Sequence, residues 1–200
     1  MAWRLGLLLA AALLAIAGLS IGAQPIEWSE ILAALTGTGE ENAQKIVLGL
    51  RLPRVLLALL CGAMLGLAGA ALQGLTRNGL ADPGLVGAKE GATIAILLLT
   101  IGFPGLPEAW RPWAGMAGAL AVAGLVMLLA RSLSGIRFIL VGIGVSWTLS
   151  AGVALFITTA RIEKVQLAMI WLAGSLHAAS WEALLLALPW AVAGAAPAAA

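Results

Sequence analysis

Long apolar segments separated by short polar ones make up most of the chain. Candidate transmembrane helices cover residues 5–22, 55–75, 85–103, 114–130, 138–160 and 181–194. A helix rises about 1.5 Å per residue and needs about 20 residues to cross a hydrocarbon core of ~30 Å. The segments do not alternate polar and apolar positions as the strands of membrane barrels do. The pattern therefore predicts an all-α fold, a polytopic transmembrane helical bundle, because lipid forces the backbone to satisfy its own hydrogen bonds.

The first apolar segment has two interpretations. Arg4, the apolar run after it and small residues near Ala23 are typical of a secretory signal peptide. A signal peptide usually has a shorter apolar core and a small-x-small end, and here Ile21 stands where a small residue is wanted. Because further spans follow, we expect a retained first helix.

Two amphipathic stretches interrupt the apolar pattern. "IEWSEILAAL", residues 26–35, places Trp28, Ile31, Leu32 and Leu35 on one helical face, which predicts a helix lying at the membrane interface. "LTGTGEEN", residues 35–42, then predicts a turn. The second stretch, residues 162–180, is too interrupted to predict a span.

Composition excludes several classes of protein. The chain is 62% hydrophobic and 10% charged, whereas soluble domains have roughly 25% charged residues. The net charge is +2 and the basic residues are scattered, which argues against nucleic-acid binding. The single cysteine, Cys61, excludes an internal disulfide, and the lone His177 is a poor metal ligand. We find no nucleophile–base pair and no nucleotide loop, so we expect no catalytic residue, no metal and no cofactor on this chain.

The second predicted span carries a stripe of small residues at every fourth position: Gly62, Gly66, Ala70 and Gly74. Small residues let membrane helices approach closely, so the stripe predicts a tightly packed central helix. The alternative is that glycine and alanine are merely common in this chain.

A polar stretch, "ALQGLTRNGLADPGLVG", follows the stripe at residues 71–87. Arg77-Asn78-Gly79 predicts a turn, because asparagine and glycine tolerate positive φ. Asp82 is the predicted N-cap and Pro83 the first residue of the next helix. The stretch is therefore a predicted corner between two spans.

Residues 51–87 resemble the signature of the ABC-importer permeases for iron–siderophores, haem and cobalamin, often called the FecCD or BtuC-like family. That family reads R-L-P-R, a Gly/Ala-rich helix and Q-x-x-x-R-N-P-L-A-x-P-x-x-L-G, and nearly every element is present here in order. "FILVGIGVS" (138–146) and "WLAGSLHAASW" (171–181) resemble later family segments. The sequence departs from the family at Gly79 (usually Pro), at Val86 (usually Leu) and at Lys89-Glu90 (usually small polar residues).

The resemblance implies one transmembrane permease domain over residues 1–200, the N-terminal half of the family's domain, with about six spans of a ten-helix fold. It implies a permease subunit of an ABC importer, of the ferric-siderophore branch, in the bacterial inner membrane and with no catalytic site of its own. The implied partners are an ABC ATPase subunit that binds ATP, a periplasmic substrate-binding protein, a homo- or heterodimeric permease partner and the lipid bilayer. The alternative is a truncated, non-transporting half-permease remnant or membrane interaction protein.

The resemblance also assigns roles to residues. Arg51 and Arg54 would dock acidic residues of the binding protein on the periplasmic face, which would place the N-terminus in the cytoplasm. Guanidinium groups suit bidentate carboxylate contacts, and the alternative is snorkelling at the interface. Ser134, Gly135 and Ile136 form a candidate inner gate, or else part of an ordinary positively charged turn.

The fifth span carries Ser146 and Ser150, one turn apart and on one face. In the family this helix lines the translocation path, although such hydroxyls also bond to the helix backbone. Lys89 lies six residues after Pro83, about 9 Å along a continuous helix. We expect it to contact another helix or the conduit, or else to snorkel to the cytoplasmic interface. Lys89 and Glu90, being adjacent, do not face each other.

Overall fold

The computed structural model describes residues 2–79, 81–131, 136–159, 165, 166, 169 and 173–195. In these residues every regular element is helical. The α-helices are α1 (Ala2–Ser20), α2 (Trp28–Leu35), α3 (Glu41–Ile46), α4 (Leu52–Thr76), α5 (Ala88–Gly102), α6 (Arg111–Ala130), α7 (Ile136–Thr159) and α8 (Trp181–Ala195). A π-helical turn, Val47–Arg51, joins α3 to α4, and short 3-10 helices occupy Pro83–Val86 and Glu108–Trp110.

Each of the six predicted spans corresponds to a helix. Among the described residues, four helical stretches are long and apolar enough to cross a membrane: Trp3–Ser20, Glu41–Thr76, Arg111–Ala130 and Ile136–Thr159. The helices α5 and α8 each have 15 residues, and 15 residues span only about 22 Å. The all-α transmembrane prediction is confirmed. The helix α5 is shorter than the predicted segment 85–103, whereas α8 covers the whole of the predicted segment 181–194.

The chain divides into two compact units, and the first comprises Met1–Leu67 and Leu176–Ala200. Its described core is formed by Ile31, Ala34 and Val47, with Leu19 and Ile26 packed against them. The core therefore joins α2 to the π-helical turn and to the end of α1.

The predicted interfacial face of α2 is divided by this core. Ile31 is 1% exposed, whereas Trp28, Leu32 and Leu35 remain exposed. Ala34, three residues after Ile31 and so on the same side of the helix, is the second buried residue of α2. The predicted turn after α2 is confirmed at residues 36–39, and α3 begins at Glu41, before the predicted turn ends.

The second unit comprises Ala68–Ser175. Its core is formed by Val126, Ala130 and Phe138, which joins the end of α6 to the start of α7. The closest helix pair is α5 with α6, where a Cβ added to Gly91 would lie 2.5 Å from the carbonyl oxygen of Gly118. Glycine at both positions is what allows this backbone approach.

Close packing along the small-residue stripe of α4 stays a prediction, because the described residues place no helix against it. A Cβ added at Gly62, Gly66 or Gly74 would meet no atom within 4 Å, and Ala70 is exposed. Close packing through glycine occurs instead between α5 and α6.

Candidate functional site

Arg51, a predicted docking residue, is buried. It ends the π-helical turn, and it is 7% exposed. Its Nη1 donates to the carbonyls of Leu19 (2.7 Å) and Ser20 (3.0 Å), and its Nη2 donates to the carbonyl of Gln24. The last carbonyls of a helix have no partner within it, so Arg51 caps α1 and holds the chain that leaves it.

The burial of Arg51 does not agree with a docking role. A guanidinium that donates to three carbonyls of its own chain and belongs to a side chain only 7% exposed presents little surface to the carboxylates of a second protein. Gly22 is part of this enclosure, because a Cβ there would lie 2.8 Å from Arg51 Nη2. The sequence places both arginines near the start of a helix. Only the packing of the π-helical turn against the end of α1 determines that Arg51 is buried.

Arg54, the other predicted docking residue, lies one turn further along and is exposed. Its Nε donates to the carbonyl of Leu176 (3.2 Å) and its Nη2 donates to the carbonyl of His177 (3.1 Å). These bonds attach the segment before α8 to the start of α4. Docking by Arg54 stays a prediction, and the exposed position is compatible with it.

Trp181 makes a second attachment that the sequence analysis missed. Its indole Nε1 donates to the carbonyl of Leu48 at 2.9 Å. Leu48 lies in the π-helical turn, where backbone bonds run to the fifth residue instead of the fourth. The only signal in the sequence was the tryptophan at the end of "WLAGSLHAASW".

The polar corner forms largely as predicted. After α4 ends at Thr76, Asp82 caps a helix by accepting from the Gly84 amide at 2.9 Å, and Pro83 is the first helical residue. The helix that begins there is a single 3-10 turn, and α5 begins later, at Ala88. Positive φ within the predicted turn falls on Arg77 (φ 51°) and not on Asn78 or Gly79.

Gly87 connects the corner to α7. It has φ +80°, and a Cβ on it would lie 3.1 Å from the Ser146 hydroxyl oxygen and 3.0 Å from Val122. Ser146 is 5% exposed. Ser146 therefore packs beneath the corner, which does not agree with the prediction that it lines an open path.

Ser150, one turn after Ser146, is exposed and makes a different contact. Its hydroxyl donates to Glu90 Oε1 at 3.4 Å, which joins α7 to α5. The other carboxylate oxygen, Glu90 Oε2, is buried and has no hydrogen-bond partner among the described residues. The two serines thus share a helix and differ in environment, because α5 and the corner contact α7 at different positions along its axis.

Lys89 and Glu90 line one cavity of about 180 Å³ with Thr93 and Ser150. Because Gly87 interrupts the chain before α5, Lys89 is the second residue of that helix. The predicted depth of about 9 Å assumed a continuous helix from Pro83 and is wrong. The cavity does place Lys89 and Ser150, two of the predicted path residues, side by side.

The remaining predictions concern the gate and metals. Ser134 and Gly135 lie outside the described residues, and Ile136 is exposed at the start of α7. In the part of the chain that the structure describes, no group of His, Cys, Asp and Glu is suited to hold a metal ion.

Comparison with known proteins identifies similar chains. The sequence profile of the FecCD transport family matches residues 7–200. The chain is 40% identical over 200 residues to the ferric enterobactin transport system permease protein FepD of Escherichia coli, covering 95% of this chain and 58% of FepD. It is 33% identical over 183 residues to the iron(3+)-hydroxamate import system permease protein FhuG of Bacillus subtilis, covering 87% of this chain and 54% of FhuG. The chain thus spans about half the length of these relatives.

A solved structure has a similar fold. It is described as an inward-facing conformation of a metal-chelate type ABC transporter, and it superposes with a TM-score of 0.75 at 31% sequence identity. The match covers 90% of this chain and 56% of that one.

Proposed function

The chain belongs to the FecCD transport family, and from this premise we propose that it is a permease subunit of an ABC importer for ferric siderophores. The family match over residues 7–200 carries the proposal. Two of the similar proteins are described as permeases for ferric enterobactin and for iron(3+)-hydroxamate. The chain is a multi-pass membrane protein, and within the proposal it forms part of the translocation pathway.

The proposal includes the rest of the transporter. Residues 1–200 are the N-terminal portion of one permease domain, which pairs with a second permease subunit. ATP binds to a separate ATPase subunit on the cytoplasmic side and drives alternating access, and a periplasmic protein delivers the chelate. The membrane is the bacterial inner membrane, with the N-terminus in the cytoplasm.

Individual residues support parts of this proposal. Arg54 is the docking contact for the binding protein, because its guanidinium is exposed and a guanidinium suits carboxylates. Lys89 and Ser150 contribute to the path through their shared cavity. Ile136, with Ser134 and Gly135, belongs to the inner gate.

Uptake of radioactive iron tests the proposal in cells from which the chain has been removed. Iron is offered as its hydroxamate, enterobactin and citrate complexes, and restoring the chain is expected to restore uptake of at least one of them. If no complex is taken up with the chain present, the chain is not a transporting siderophore permease, and the non-transporting half-permease interpretation is favoured.

Charge reversal tests the docking contact. Arg54→Glu is expected to lower uptake at least tenfold, because a carboxylate repels acidic residues of the binding protein. Lys45→Glu is the matched control, since Lys45 is an exposed cation of the same unit, paired only with Glu41 on its own helix among the described residues. Equal uptake by the Arg54→Glu variant and the wild type would refute docking at Arg54 and leave the transport proposal intact.

A further inference from the structure

The π-helical turn leaves one of its carbonyls without a backbone donor. The Leu52 amide donates to the carbonyl of Val47, five residues back. This amide is therefore not free for Leu48, four residues back. The residue that would donate to Leu48 in the π pattern is Pro53, which has no N–H. The Leu48 carbonyl thus lacks the helical hydrogen bond in both directions that the backbone could offer it.

The indole of Trp181 supplies the missing donor. Its Nε1 donates to the Leu48 carbonyl at 2.9 Å. Trp181 is the first residue of α8, and that helix start is capped by Ser180, whose hydroxyl oxygen accepts from the Ala183 amide at 3.2 Å. A side chain from a helix distant in sequence therefore completes the hydrogen bonding of the π-helical turn.

The same carbonyl would not need the indole if the turn were α-helical. In the α pattern the Leu52 amide donates to Leu48, and the acceptor left by Pro53 is the carbonyl of Gly49. Gly49 is exposed, and water is the usual partner of an exposed carbonyl. The Trp181 bond therefore stabilises the π pattern more than the α pattern. A contact with such a difference shifts the equilibrium between the two patterns toward the first.

The choice between the two patterns determines the position of Arg51, the last residue of the turn. Val47 is held in the core of the first unit, and Arg51 donates to the carbonyls of Leu19 and Ser20 at the end of α1. A bond to the fifth residue encloses one residue more than a bond to the fourth. A return to the α pattern would therefore rotate Arg51 relative to Val47 by up to about 100°, the angle of one residue in an α-helix.

We propose that Trp181 is a positioning residue that holds the turn in the π pattern and thereby keeps Arg51 against the end of α1. When the indole leaves the Leu48 carbonyl, the turn relaxes to the α pattern and Arg51 releases the carbonyls that it caps. One hydrogen bond thus couples the start of α8 to the end of α1. All of these residues belong to the first unit, and the coupling does not depend on what the chain transports.

Chemical modification of arginine in the purified full chain in detergent tests this coupling. Phenylglyoxal reacts with accessible guanidinium groups, and peptide mass spectrometry gives the rate at Arg51, with the exposed Arg4 as a reference for the reagent. Trp181→Phe keeps an aromatic ring and removes the donor. We expect it to raise the rate at Arg51 about fivefold, the usual net effect of one hydrogen bond. Trp28→Phe, at an exposed tryptophan of the same unit, is the control and is expected to leave the rate unchanged.

Pro53→Ala separates the hydrogen bond from packing of the ring. The substitution restores an N–H at position 53, so the Leu48 carbonyl gains a backbone donor in the π pattern and no longer depends on the indole. In the Pro53→Ala background, Trp181→Phe is therefore expected to raise the rate at Arg51 by less than about twofold. Circular dichroism of each variant establishes that the helices are intact.

Three results would overturn the proposal. If Trp181→Phe and the wild type are modified at Arg51 at the same rate, the indole does not hold the turn. If Trp181→Phe raises that rate equally in the Pro53→Ala background, the ring acts by packing and not through the Leu48 carbonyl. If Trp28→Phe raises the rate as much as Trp181→Phe does, the effect is not specific to this hydrogen bond.

Discussion

Replacing Arg51 by methionine tests whether this side chain is a structural cap. Methionine keeps an unbranched apolar stem of similar reach and removes every donor. Three carbonyls, those of Leu19, Ser20 and Gln24, then lose their hydrogen bonds from the guanidinium. At about 1 kcal/mol for each net hydrogen bond, the expected loss of unfolding free energy is about 3 kcal/mol.

Two further variants test this expected loss of unfolding free energy. Arg51→Lys keeps the charge but presents a single ammonium where a planar fork contacted three carbonyls, so we expect an intermediate loss of about 1–2 kcal/mol. Arg54→Met is the matched control, because Arg54 is exposed and its two bonds to Leu176 and His177 are at 3.2 and 3.1 Å. Two exposed hydrogen bonds of this kind contribute little to stability, so we expect the unfolding free energy to change by less than about 1 kcal/mol.

The assay is equilibrium unfolding of the purified chain in mixed micelles with increasing denaturing detergent, followed by helical circular dichroism. Hydrogen exchange at the end of α1 is a second measurement, and we expect faster exchange there in Arg51→Met. An unfolding free energy within about 0.5 kcal/mol of the wild type, with unchanged exchange, would refute the capping role.

Two other predictions concern the second unit. Gly118→Val is expected to destabilise the chain by about 1–3 kcal/mol, because its Cβ would overlap the Gly91 carbonyl. Gly124→Val on the same helix has open space around its Cβ and is expected to melt like the wild type. Thermal unfolding of the two variants is the measurement, and equal melting temperatures would contradict the close approach of α5 and α6. Gly87→Ala is expected to cost about 1–2 kcal/mol from φ +80° alone, with further loss from contact with Ser146. Gly79→Ala, in the same corner but without positive φ, is its control, and a loss no larger for Gly87→Ala than for this control would contradict the reasoning.

Much of the local structure could be predicted from residue patterns. Apolar length indicated the helices, and the Asp82-Pro83 pair located a helix start, because capping and proline geometry act within a few residues. The motif between residues 51 and 87 indicated the family that the sequence profile also matches. These features depend on neighbours in the chain, so the chain alone specifies them.

The candidate site was less predictable. Arg51 and Arg54 belong to one short motif, yet one is buried against α1 and the other is exposed. Ser146 and Ser150 occupy one face, yet Gly87 covers the first and Glu90 accepts from the second. Spacing determines which residues share a face, and it carries no information about which element lies opposite.

The sequence by itself determined that this chain is helical, that it enters lipid repeatedly and that its polar corner begins a helix at Pro83. Only the tertiary structure decided that glycines of α5 and α6 permit close contact between these two helices. Only the tertiary structure brought Trp181 to Leu48, and Glu90 to Ser150. The physical reason is that burial and hydrogen bonding between residues distant in sequence depend on which faces meet, and many helix arrangements satisfy the same apolar pattern.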